Sequence, residues 1–150
     1  INATIMTTLH TDEAFTILTG KISGAINRTF LRTFAREGVD ITTEQWSVLA
    51  CLWKKDGVTQ QTLCTLTAKD KPSMTRLIDN LEKRNLVKRL SDNEDRRINN
   101  IYLTEEGNNL QNKATEIVNL IAERTLKGIT EQELNTSRVV LKKIIANLEQ

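Results

Sequence analysis

The stretch Asp70–Thr104 reads DKPSMTRLIDNLEKRNLVKRLSDNEDRRINNIYLT, and the rest of the chain is organised around it. Its first half has a helical period. Met74, Leu77, Ile78 and Leu81 recur at i, i+3, i+4 and i+7, which puts them on one face. Pro72, Arg76, Asp79 and Lys83 fall on the opposite face, with Ser73, Thr75 and Asn80 at its edges. Asp70 is placed to cap the N-terminus, and Pro72 is tolerated in a first turn where its missing N–H is not needed. Asn85 stands where the helix should stop, in a left-handed position that Asn fills when Gly does not. The period then changes. Leu86, Val87 and Leu90 with Lys88 and Arg89 make a short strand, and Ile98, Ile101, Tyr102 and Leu103 its partner. Between them SDNEDRRIN is polar, with paired arginines near its far end. A helix running straight into a hairpin with a basic tip is the pattern of a winged helix.

Working outward, the chain of 150 residues suits one domain, or one domain with an appended helical part. With 39% apolar and 27% charged residues it can bury a sizeable core. Only 4% aromatics, one proline and six glycines favour long helices over a sandwich or barrel. The net charge of +2 does not by itself announce a nucleic-acid binder. Lys69–Arg97 holds nine Lys/Arg against six Asp/Glu, a net of +3, leaving −1 for the remainder. The excess sits in the helix–hairpin unit and is modest, so a few placed arginines must matter more than a broad field.

Cys51 and Cys64 fall inside expected helices, no secretory segment precedes them, and no run reaches the length of a membrane span. The expectation is a cytoplasmic protein with reduced thiols. Both are expected to be buried in helices, where thiols tend to be inert, so both are expected to be structural. His10, the sole histidine, has no second ligand nearby, so no metal or other cofactor is expected. The chain begins at Ile1 rather than Met, which points to a trimmed or re-engineered N-terminus.

Taken in order, Ile1–Thr11 has no period and reads as a loose arm. Asp12 opens a helix to about Glu37, striped by Phe15, Leu18, Ile22, Ile26 and Phe30 and widened by Ala25, Leu31 and Phe34. That stripe is longer than one small domain can cover, so part of it should meet another subunit. Thr42 with Gln45 reads as a capping box for a helix burying Trp46, Leu49, Ala50 and Trp53 and ending at Asp56-Gly57. Thr59 caps a short helix with Leu63 and Leu66 inward, which forms a helix-turn-helix with the next. Beyond the hairpin, Thr104 caps a long helix striped by Leu110, Ala114, Ile117, Val118, Ile121 and Ala122. Thr130 with Glu133 starts the last, striped by Leu134, Leu141, Ile144, Ile145 and Leu148. The expected fold is mainly α with a small β-hairpin. A symmetric two-fold dimer is the simplest way to bury the three long stripes.

These features resemble the MarR family of bacterial transcriptional regulators along nearly the whole chain. The resemblance rests on Ile41-Thr-Thr-Glu-Gln-Trp46, on Thr75-Arg76 and on Leu81-Glu-Lys-Arg-Asn-Leu-Val-Lys-Arg89. Its most specific part is Asp92-x-x-Asp95-Arg96-Arg97 followed by Tyr102-Leu103-Thr104-x-x-Gly107. Two departures are mild: Asn85 where the family often has Gly, and Cys64 where it often has Ala. The resemblance implies a homodimer on a pseudo-palindromic double-stranded DNA operator. It implies a winged helix-turn-helix over residues 42–103, flanked by dimerisation helices over 12–37 and 104–150. It places Lys71, Ser73, Thr75 and Arg76 on bases and nearby phosphates, Arg96 and Arg97 in the minor groove, and Asp95 as a brace for an arginine. It also implies an effector, commonly phenolic or aromatic, in a cleft lined by the first, second and fifth helices.

A ligand-relieved regulator, most simply a repressor, is thus the leading expectation. A winged-helix module that recruits protein without DNA is the alternative, and the basic wing argues against it. An enzyme is not expected: the sequence assembles no nucleophile with a base, no phosphate-cradling glycine loop and no metal-ligand spacing.

Overall fold

The computed structural model describes residues 15–91 and 98–149. The loose arm, the Asp12 helix start, His10 and the segment 92–97 with Asp95, Arg96 and Arg97 lie outside them. The described chain runs α1 (Phe15–Arg36), α2 (Thr43–Lys54), β1 (Val58–Thr59), α3 (Gln60–Thr67), α4 (Lys71–Lys83), β2 (Val87–Ser91), β3 (Asn99–Leu103), α5 (Glu105–Thr125) and α6 (Glu131–Leu148). It divides into two compact units, one ending at Val118 and the other starting at Asn119. It is mostly helical with a small antiparallel sheet of order β1-β3-β2.

The first unit is centred on Phe34, Val48, Leu49, Leu52, Leu63, Met74, Ile78, Leu81, Val87 and Ile101, all almost fully buried. Helices α2 to α5 start where capping side chains take their unpaired N–H groups. Thr42 and Gln45 form the expected reciprocal capping box. Thr59 accepts from Thr62 N, and Thr104 Oγ1 accepts from Gly107 N (3.1 Å). The sheet includes a strand not anticipated from the sequence. Val58 pairs with Ile101 and Thr59 with Asn100, so β1 closes the second edge of β3. On the other edge, Val87 pairs with Leu103 and Ser91 with Asn99.

Two expected apolar faces are rotated in the structure. On α2 the buried positions are Gln45, Val48, Leu49 and Leu52, a stripe one residue away from the expected Trp46, Leu49, Ala50 and Trp53. Gln45 tolerates burial because its Oε1 accepts from Thr42 N (3.0 Å) and from Arg84 Nη1 (3.2 Å). The tryptophans are half-buried: Trp46 rests on Phe30, ring centroids 5.5 Å apart, and Trp53 Nε1 donates to Gly107 O (3.0 Å). On α3 the inward residues are Leu63 and Cys64, whereas Leu66 is 61% exposed. The half-buried Gln60 and Thr67 complete an i, i+3, i+4, i+7 face that excludes Leu66.

The second unit holds the end of α5, a turn at Gly128 (φ +80°) and α6. Thr130 and Glu133 form the expected capping box of α6. No residue of α6 is buried, and Val139, Val140, Leu141, Ile145 and Leu148 are exposed.

Candidate nucleic-acid interface

The turn between α3 and α4 sets the reading helix. Ala68 adopts a left-handed conformation (φ 52°, ψ 38°), its N–H returns to Cys64 O, and Lys69 N also donates to Cys64 O (3.1 Å). Lys69 Nζ pairs with Glu44 Oε1 on α2 at 3.1 Å, tying the turn to the scaffold. Asp70 then caps α4. Its Oδ1 accepts from Ser73 N (2.7 Å) and its Oδ2 from Ser73 Oγ (2.9 Å). Those bonds, led by the Ser73 main-chain N–H and helped by the Lys69 charge, hold the Asp70 carboxyl below its ordinary range. At the far end Asn85 takes the left-handed conformation (φ 56°), as expected for a residue in the place of Gly.

The inner face of α4 is Met74, Ile78 and Leu81, with Leu77 half-buried at its margin. Lys71 and Arg76 are exposed. Arg76 lines a shallow groove of about 230 Å³ with Glu44, Lys69, Ser73, Leu77 and Asn80, and among the described residues it enters no ion pair. Of the two intrahelical partners open to it, Asp79 has its Oδ1 bound to Arg89 Nη2 at 2.5 Å, while Asn80 shares the groove. Lys71 stands beside a cleft of about 380 Å³ lined also by Gln60, Cys64, Thr75, Ile98 and Asn99. α3, α4 and the base of the wing therefore converge around one recess.

The remaining candidates are already engaged. Ser73 Oγ donates to Asp70. Thr75 Oγ1 donates to Lys71 O (2.9 Å) and accepts from Gln60 Nε2 (2.6 Å), which locks α3 to α4. Gln60 was not singled out in the sequence, because nothing local marks its link to a residue fifteen positions on. In the sequence Arg89 stands beside Lys88 in the expected first strand, with nothing local to set the two apart. In the structure its guanidinium binds both Asp79 and Glu82. Asp95, Arg96 and Arg97 fall in the segment outside the described residues.

Other chemistry finds no assembled site in the described residues. No group of three or more His, Cys, Asp or Glu is arranged to hold a metal ion. Cys51 is half-buried and Cys64 buried, both as free thiols. Burial pushes the Cys51 thiol up, with Lys54 pulling weakly the other way, so it is less thiolate than an exposed cysteine. No described helix is long and apolar enough to cross a membrane.

An eight-residue helix, a left-handed turn and a thirteen-residue amphipathic helix leading into a three-stranded sheet define a winged helix-turn-helix protein. The MarR family model matches residues 41–98, from the start of α2 to the edge of β3. The crystal structure of the transcriptional regulator PA3341 is similar at 33% identity over 90% of this chain and 98% of that one, with a TM-score of 0.76. CouR from Rhodococcus jostii RHA1, solved bound to p-coumaroyl-CoA, is 27% identical over 91% of this chain and 95% of its own, TM-score 0.80. MepR of S. aureus, solved as a DNA complex, is 26% identical over 93% and 99%, TM-score 0.81. The chain belongs to the MarR family of transcriptional regulators.

Proposed function

We propose that the protein is a dimeric, sequence-specific DNA-binding repressor relieved by a small, phenolic or aromatic ligand. The observation that carries this reading is Arg76, an exposed guanidinium on the helix-turn-helix's second helix with no carboxylate committed to it among the described residues. α4 enters the major groove, where Arg76 pairs with guanine O6 and N7 or a phosphate and Lys71 contacts the flanking backbone and bases. Ser73 and Thr75 join them once their hydroxyls turn from Asp70 and Lys71 O. Arg96 and Arg97, braced by Asp95, reach the adjacent minor groove, whose narrow, electronegative form attracts arginine. Residues 42–103 act as the DNA-binding domain, and residues 12–37 and 104–150 as the dimerisation region.

Dimerisation is supported by the exposed apolar residues of α1 (Phe15, Leu18, Ile22, Ile26) and of α6. Each such side chain on α1 is already about half covered, so covering the rest adds roughly half of the about 1.5–3 kcal/mol that full burial supplies. That MepR was solved with DNA and CouR with p-coumaroyl-CoA supports both halves of the reading. The ligand acts by population shift, favouring a spacing of the two reading helices that no longer fits successive grooves.

A fluorescence titration against the duplex upstream of its own gene tests the reading. Arg76→Ala should weaken binding by about 1–3 kcal/mol, and Arg96→Ala with Arg97→Ala should lower the salt slope by about 1 for each lost phosphate contact. Binding that prefers no sequence at moderate salt, and ignores all three substitutions, contradicts it.

A further inference from the structure

Arg89 is the most heavily committed cation in the described residues. The strand's period of two puts it on the same side of β2 as the buried Val87, facing α4. There its Nη2 binds Asp79 Oδ1 at 2.5 Å and its Nη1 binds Glu82 Oε2. Its main-chain N–H donates to Glu82 Oε1 at 3.2 Å, so the same carboxylate also covers a donor of the sheet's outer strand. Asp79 and Glu82, three apart, share one face of α4, and the guanidinium fork spans both. The arginine side chain is only 22% exposed. Lys88, its neighbour in sequence, is exposed.

We propose that Arg89 is a positioning residue. Held by Asp79 and Glu82, it fixes the direction in which β2 leaves α4, so the reading helix and the wing strands meet DNA as one rigid unit. This rests on the DNA-binding reading above and deepens it. A cation at the helix–wing junction invites assignment as a phosphate ligand, but here its donors are spent on carboxylates of the protein. The carboxylates matter as much as the arginine: they place negative charge on the reading helix, at an electrostatic cost to DNA affinity, and return it as geometry.

That balance makes the proposal testable by sign. In the full-length protein, Asp79→Ala combined with Glu82→Ala removes two negative charges and frees Arg89, which by charge alone should tighten DNA binding. The proposal predicts the reverse. The double variant and Arg89→Gln should each weaken binding to the upstream duplex by about three- to tenfold, and the triple variant should be no weaker than the worse of the two. Arg89→Lys, which keeps the charge but loses the fork, should weaken it in the same direction and gives a milder variant if the glutamine protein folds poorly.

Tighter or unchanged binding by the carboxylate variant overturns the proposal. So does a salt slope that falls by about 1 in Arg89→Gln, which would make the residue a phosphate ligand. Lysine binding as tightly as arginine also overturns it. If the wild-type protein binds no duplex, the DNA-binding reading fails, and amide exchange at Arg89 decides the clamp. Exchange about tenfold faster in both variants supports it as the device that sets the wing, and unchanged protection overturns that too.

Discussion

Gly107 lies where any side chain would strike the main chain. A Cβ there would sit 2.0 Å from Leu86 O and 3.1 Å from Leu86 C. Leu86 O cannot withdraw cheaply, because it accepts from Thr104 N (3.1 Å) beside the Thr104 cap of α5. Gly107→Ala should therefore cost about 2–4 kcal/mol, read as a lower midpoint in thermal or denaturant unfolding. An alanine variant as stable as wild type would mean that α5 does not start where it is placed. The sequence shows this glycine as part of a motif, but its reason lies at Leu86, across the hairpin. Arg89 makes the same point. Beside Lys88 it looks like a second surface charge, and only the packing of β2 on α4 separates the clamped cation from the exposed one. Arg76 was legible from helical period alone, because a residue opposite Met74, Ile78 and Leu81 has nowhere to go but outward.

Element boundaries were legible wherever a cap sets them. Thr42, Thr59, Asp70, Thr104 and Thr130 all start helices as their side chains suggest. β1 was not legible: two residues are too few to show alternation, and its stability comes from pairing with Ile101 and Asn100. The faces of α2 and α3 differ from the expected ones because apolar character does not by itself mean burial. Gln45 is buried by having its carbonyl satisfied, while Trp53 stays at the margin with its N–H bound to Gly107 O. The Asp70 cap carries a pH prediction. Its carboxyl is held below the ordinary 3.8, so its contribution is fully present above that value and is lost as pH falls through the lower, folded one. Asn caps equally well without titrating. Wild type should therefore lose any stability advantage over Asp70→Asn as pH falls from about 5 to about 2. A difference that is constant across this range would show that the carboxylate is not what caps α4. Glu133 is likewise held low by Thr130, but it is common to both proteins and cancels in the comparison.

At the scale of the molecule, the exposed apolar residues of α1 and α6 argue for a second copy. Ile22→Glu and Ile145→Glu, at positions 57% and 52% exposed, should each shift sedimentation from dimer toward monomer and weaken DNA binding, since half-sites would then be bound singly. Wild-type protein sedimenting as a monomer at micromolar concentration would remove the dimer from the account. The class of fold was legible from one 35-residue stretch because a helix-to-hairpin change of period has few other solutions. Spacing between two copies was not, since nothing in one chain encodes it locally. Whether α4 reads DNA in pairs, as proposed, is tested most directly by selecting duplexes from a random pool with the wild-type protein. An enriched inverted repeat is predicted, its half-sites centred about one helical turn, roughly 34–36 Å, apart. A pool that enriches for no sequence, or for a single unpaired site, would contradict it.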